Sequence, residues 1–384
     1  MRTKSTYLMN LNSKLNSKLS SKLSIILTLG LLNLALVSPA FGQTTVLPPS
    51  IVEAAAVNGT QQSQIASFVD HWGQRAIGTD SQQASRAMTK LLEPMINARV
   101  SISFRRAYSD ALGSLLDALQ ANGDIGSTLS ALRLAGELGS TRGTQIILSG
   151  LDNSDVGIRI FAAGRAGRTF RTTAANGPAM SANDLNSLIA KLDSIANSTD
   201  NQSLMSASIQ ALGYGCSLPS DDFLATRADC IRIMSNVAGA QLSTGSSDLD
   251  SRVRIAMLAS GAATHSLSQV GEDSTNEAVR SAVGLGASMI SIALSEVIAG
   301  TMPGVDDRAL YVTLVRSGES LLYFALREYA ELNGRSASGV DQTAFADLLE
   351  AGDDRSFRNK AALLLGPGSP IVTDFGFADD EFVR

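Results

Sequence analysis

Apolar residues recur along this chain at the spacing of one helix face, and the same layout returns six times. Each copy opens on a Ser, Asp or Asn three residues before an apolar position: Ser101 before Phe104, Asp155 before Ile158, Asn201 before Leu204, Asp250 before Val253, Asn276 before Val279 and Asp354 before Phe357. Short side-chain oxygens of this kind accept from the free N–H groups of a first helical turn, so each start predicts an N-cap. Four and eight residues after the apolar position stand Tyr108 and Leu112, Ala162 and Ala166, Ser208 and Leu212, Met257 and Gly261, Val283 and Ala287, Ala361 and Leu365. At about 100° per residue these three positions fall on one side of a helix, and the stripe is expected to face the core.

Nine residues after the apolar position stand Gly113, Gly167, Gly213 and Gly366, with Ala262 and Ser288 in the other two copies. Glycine there suits a left-handed helix stop. In five copies Arg follows the apolar position: Arg105, Arg159, Arg254, Arg280 and Arg358. Strand-like alternation is scarce and aromatics are 5%. The expected class is therefore all-α, a solenoid of stacked antiparallel helix pairs, which presents extended surface rather than one cleft.

Residues 131–167, from Ala131-Leu-Arg-Leu-Ala-Gly-Glu-Leu-Gly139 through Asp155-Val-Gly-Ile-Arg159 to Gly167, carry a resemblance. An Asp-containing turn before a Val-Arg helix that ends in Leu-Gly resembles the short bacterial HEAT-like repeat, and 354–366 is similar to its second helix. The likeness covers 101–167, weakens to 288 and is absent from 289 to 353. Gly113, Gly139 and Gly167 stand 26 and 28 residues apart, near the short form of the repeat. The resemblance implies a right-handed stack whose second helices line a concave side. It implies no single activity, because such repeats serve scaffolds, receptors and a few lyases.

The ends of the chain read differently. Arg2, Lys4, Lys14, Lys18 and Lys22 precede an apolar run from Leu23 to Val37, then Ser38-Pro-Ala40-Phe-Gly42. This is the layout of a signal peptide over 1–42, cut after Gly42. The run is shorter than the roughly 20 residues that cross a bilayer, so no membrane anchor is expected after cleavage. Export to a bacterial periplasm or the outside follows. Residues 43–60 read as a linker, 61–366 as the repeat domain, and 367–384 as an acidic, disordered tail, although Phe375, Phe377 and Phe382 could dock on a partner or on the domain itself.

Charge narrows the partners. The chain has 31 basic and 36 acidic residues, and removing the five cations of the leader leaves 26 against 36. An acidic protein repels phosphate backbones, which disfavours nucleic acid. One segment departs from this balance: Arg159, Arg165, Arg168 and Arg171 occur with no acid between Asp155 and Asp184. Arg165, Arg168 and Arg171 are the candidate binding residues, for an anion or an acidic partner. Arg165 sits within about 20° of the apolar stripe, so its stem can instead cover core while its head reaches Glu137 or a helix C-terminus. Arg168 and Arg171, placed after the Gly167 stop, are expected at an exposed helix end.

Catalytic chemistry is thinly represented. His71 and His265 are isolated from other ligand types, no phosphate loop, nucleophile elbow or dinucleotide fingerprint occurs, and no cofactor or metal is expected. Cys216 and Cys230 flank a 14-position loop, and in an exported chain such a pair predicts a disulfide. The function expected is a non-catalytic protein-binding or assembly scaffold. An enzyme or small-ligand protein using Arg165 or His265 in a concave pocket, and a self-associating envelope component, remain the alternatives.

Overall fold

All regular structure among the described residues is helical. The computed structural model describes residues 45–243, 248–269, 274–336 and 343–383. The signal-like segment 1–42 lies outside them. In chain order the helices are α1 (Pro49–Val52), α2 (Gly59–Ala76), α3 (Ser81–Leu92), α4 (Ile102–Ala111), α5 (Gly113–Ala121), α6 (Ile125–Leu138), α7 (Thr141–Leu151), α8 (Val156–Asn176) and α9 (Ala182–Ser198). Then follow α10 (Gln202–Gly215), α11 (Ser220–Ser243), α12 (Leu249–Leu267), α13 (Asn276–Ala299), α14 (Ala309–Leu332), α15 (Phe345–Glu350), α16 (Asp354–Leu365) and α17 (Pro370–Phe375).

Three of the expected caps open their helices. The Ser101 hydroxyl accepts from the Phe104 amide at 3.0 Å, Asp155 from those of Gly157 and Ile158 at 2.7 and 3.2 Å, and Asn201 from that of Leu204 at 3.0 Å. In the other three the cap lies one or two residues earlier, at Asp248, Thr275 and Asp353 rather than Asp250, Asn276 and Asp354. Asp354 instead accepts from the Arg308 guanidinium at 2.6 Å. Two of the displaced caps belong to an Asp-x-x-Ser pattern that also opens α6. Asp124, Asp248 and Asp353 accept from the amides of Ser127, Ser251 and Ser356 at 2.8, 3.2 and 3.1 Å.

The serine hydroxyl, and then its amide, holds each of these three carboxyls below its ordinary value. A carboxylate with a lower pKa when folded contributes stability above its unfolded value, near 3.9, and loses it as pH falls through the folded value. Asp353→Asn keeps an acceptor at the cap but no titrating group. Its unfolding midpoint should therefore fall less than that of the wild type between about pH 5 and pH 2. Parallel midpoint curves across that range would contradict the role assigned to Asp353.

The apolar stripe is buried in five of the six copies: Phe104, Tyr108 and Leu112 are fully enclosed, as are Val279, Val283 and Ala287 and Phe357, Ala361 and Leu365. In α12 the earlier cap accompanies a different face, and Met257 is half-buried and Gly261 exposed. Of the glycines at the expected stops, Gly366 ends α16 in an extended rather than left-handed conformation, and Gly167 does another job. Gly167 lies inside α8, where a Cβ would stand 2.8 Å from the Tyr214 ring and 3.3 Å from the Ala211 Cα, so it lets α8 and α10 approach closely. Left-handed stops occur instead at Gly139, Gly300 and Gly376.

Helix contacts run in two rows. In one, α6 packs on α8, α8 on α10, α10 on α12 and α12 on α14; in the other, α7 packs on α9, α9 on α11, α11 on α13 and α13 on α16. Successive helices such as α6 and α7 or α13 and α14 join the rows. At the N-terminal side α2 packs on α3 and α4. Helix α13 is long and apolar enough to cross a bilayer by length and composition, and here it buries Val279, Val283, Met289 and Ile290 among its neighbours.

Arginines, three of them buried and Arg252 half-buried, join the helix ends. Arg105, with no exposed surface, donates to the carbonyls of Leu138 at 3.4 Å and Asn176 at 2.8 Å, and also to that of Gly177, at the C-termini of α6 and α8. Arg227 donates to the Ser266 carbonyl in the last turn of α12, Arg252 to Leu242 in α11 and Arg308 to Leu349 in α15. A guanidinium suits these sites because the last carbonyls of a helix lack partners and carry the negative end of its dipole.

Helices also form in both terminal segments. The stretch 43–60 contains α1 and the first turn of α2, whose Asn58 and Gln61 form a reciprocal capping box. The C-terminal segment forms α17 and folds back on α13: Arg280 donates to the Phe375 carbonyl at 2.6 Å, Ser291 to that of Phe382 at 2.5 Å, and the Phe382 ring is buried.

Candidate functional site

The arginines singled out in the sequence project from the middle of α8 rather than from a helix end, because α8 continues nine residues past Gly167 to Asn176. Across from them α6 presents Gly136 and Glu137. A Cβ at Gly136 would stand 3.1 Å from the Arg165 Cβ and Cδ, so the absence of a side chain there gives the Arg165 stem its bed. The Arg165 head lies over the Phe161 ring, 4.8 Å from its centroid. Arg168 grips Glu137 through both Nε and Nη2 at 2.7 Å. The exposed Arg171 lies over the Tyr214 ring at 4.4 Å, on the α10 side.

A fourth cation completes the strip. Arg133 is exposed on α6, one turn before Glu137, and its charge acts on Arg165 together with those of Arg168 and Arg171. Burial, followed by these three like charges, lowers the Arg165 pKa, and Glu137 partly offsets the fall. An arginine so placed still carries its charge at neutral pH. Around Arg165, three like charges therefore stand against one carboxylate, a local excess of positive charge on an acidic chain. The Arg165 stem covers a packed surface and its charge is felt by Glu137, but the direct bond to Glu137 belongs to Arg168.

Arg133 was not singled out in the sequence because it lies on another helix, 32 positions before Arg165. Its only local signal is the i, i+4 spacing to Glu137. The rings of Phe161 and Tyr214 were equally hidden. Arg159 is half-buried, two turns earlier on α8, and is not among the charges that act on Arg165.

Such a strip can bind carboxylates or other anions at several points. Rings beneath Arg165 and Arg171 hold two guanidinium groups without neutralising them. Other expected chemistry stays dispersed. His71 meets Trp72 edge-on at 4.8 Å, and the exposed His265 pairs with Gln269 at 3.0 Å. Among the described residues no three His, Cys, Asp or Glu side chains gather at metal-binding distance.

The expected disulfide is not formed. Cys216 and Cys230 are brought together, fully buried, as free thiols in hydrogen-bond contact. The contact with Cys216 and burial push the Cys230 thiol well up, and a buried protonated thiol is a poor nucleophile for disulfide exchange.

Comparison of the chain with family models and with curated proteins finds no match.

Proposed function

We propose that this chain is an exported, non-catalytic binding scaffold, a HEAT-like α-solenoid whose α6–α8 strip takes an acidic face of another protein. The carrying observation is the strip itself: Arg133, Arg165, Arg168 and Arg171 around a single Glu137, with two of the guanidinium groups seated on aromatic rings. The two rows of helix contacts support a repeat architecture, since from α6 to α14 the helices of each row pack on one another in order. The basic and apolar leader supports export. Protein carboxylates are the favoured ligands because Arg forks match them in charge and planar geometry, and Arg168 already holds one, through Nε and Nη2 on the Glu137 Oε2.

The geometry selects the variants. Reversing Arg168 would set two carboxylates against each other at Glu137, so Arg133→Glu with Arg171→Glu is the cleaner change. Both side chains are exposed, and surface substitutions usually stay within about 0.5 kcal/mol. Affinity capture from an envelope extract should recover a partner with the wild type and lose it with the double variant, at an unchanged thermal midpoint. Equal recovery by both proteins would count against the strip as the binding face.

A further inference from the structure

Three sulfur atoms meet where α10 ends and α11 passes over it. Cys230 and Met234 stand one turn apart on α11, the i, i+4 spacing that places both on one face. Cys216 is the C-cap residue of α10 and points its Sγ to within 4.0 Å of the Met234 Sδ. The Cys230 Sγ lies against Gly215, so close that a Cβ there could not be accommodated, which sets it beside the neighbouring Cys216. All three side chains are fully buried. In sequence the cysteines are 14 positions apart, too far for a compact ligand motif; the return of α11 across α10 removes that separation.

We propose that Cys216, Cys230 and Met234 form a three-sulfur site for a soft monovalent metal ion, Cu(I) in the first instance. Metal–thiolate bonds of about 2.3 Å in a trigonal plane set the sulfurs about 4 Å apart, the separation found between Cys216 and Met234. The donors decide the metal: two thiols and a thioether select Cu(I), whereas zinc and the hard cations take nitrogen or oxygen as well and make little use of thioether. Binding one Cu(I) releases both thiol protons to solvent and leaves the ion with two thiolates and a neutral thioether, one negative charge in all. No oxidation is involved. Arg227, buried one turn before Cys230, donates to the Ser266 carbonyl, and the Ser266 hydroxyl donates to the Cys216 carbonyl at 2.8 Å. That chain of bonds also fixes Cys216 in place, as an outer shell does for a metal ligand.

The test is an anaerobic titration of the reduced full-length chain with Cu(I) against a chromophoric Cu(I) chelator. One ion per chain is expected, with a thiolate-to-copper band in the ultraviolet and three sulfur neighbours by X-ray absorption. Met234→Leu conserves volume and fold, and should leave two sulfur neighbours and an affinity about 10- to 100-fold lower. Cys230→Ser should lose the band. The proposal is overturned if the reduced wild type leaves all Cu(I) on the chelator, if Met234→Leu matches the wild type in affinity and sulfur count, or if added Cu(I) is bound with both thiols still titratable.

Discussion

Arg105→Met should lower the unfolding free energy by about 3 kcal/mol or more, measured by denaturant unfolding with circular dichroism. The wild-type side chain is fully buried and serves three carbonyls, those of Leu138, Asn176 and Gly177. Hydrogen bonds to a charged group contribute about 1.5–3 kcal/mol each, and removing one partner leaves the buried acceptors with their full desolvation cost. Burial, followed by the charge of Arg106, lowers the Arg105 pKa to about 10, so the guanidinium remains charged at neutral pH at some cost. The carbonyl bonds must offset that cost. Because this folded pKa lies below the unfolded one, the penalty is present at neutral pH and is relieved only as pH rises above about 10. Arg105→Lys keeps the charge without the fork and should lose less than Arg105→Met. A loss under about 1 kcal/mol for Met would mean that these helix ends do not depend on Arg105.

Gly318→Val should be comparably damaging, through backbone contact rather than charge. Helices α13 and α14 meet at Gly286 and Gly318: a Cβ at Gly318 would stand 2.9 Å from the Gly286 carbonyl oxygen and 3.0 Å from the Met289 Cβ. Neither neighbour is the free end of a flexible side chain, so the helices must separate. Overpacking costs typically 1–3 kcal/mol and occasionally more, and a branched side chain between two long helices belongs at the upper end. Its thermal midpoint should fall well below that of an exposed-site control such as Gly164→Val on α8, where an added Cβ meets nothing. Equal midpoints would show that α13 and α14 can part freely.

Much of the helical face was legible in the sequence, and the physical reason is local. A stripe at zero, four and eight depends only on helix geometry, so Phe104, Tyr108 and Leu112 could be assigned to the core without knowledge of their partners. Caps were legible to within two residues. Where candidates crowd, as in Thr275-Asn276 or Asp353-Asp354, either can accept from the first turn, and the chain entering the helix decides between them. Glycine was misread because a stop and a close contact look alike in sequence. Gly139 has the left-handed backbone of a stop, whereas Gly167 has a neighbouring helix against it.

Long-range partners were not legible. Arg105, Arg254 and Arg358 occupy the same place in the repeated layout, yet the first is buried on three carbonyls and the other two are exposed. The difference lies in helix ends up to 72 positions away. The same limit hid Arg133 from the cationic strip and Met234 from the cysteine pair, since each joins its partners only through helix packing.

The central claim, that the α6–α8 strip is a binding face for protein carboxylates, is most directly tested by fluorescence anisotropy. A labelled Asp/Glu-rich peptide is titrated with the wild type and with the Arg133→Glu, Arg171→Glu double variant at two salt concentrations. Exposed charge pairs are screened over about 10 Å at 0.1 M salt. The account predicts saturable wild-type binding that weakens at least tenfold from low salt to about 0.3 M, and binding by the double variant at least tenfold weaker at low salt. Equal affinities for the two proteins, or wild-type binding indifferent to salt, would contradict it.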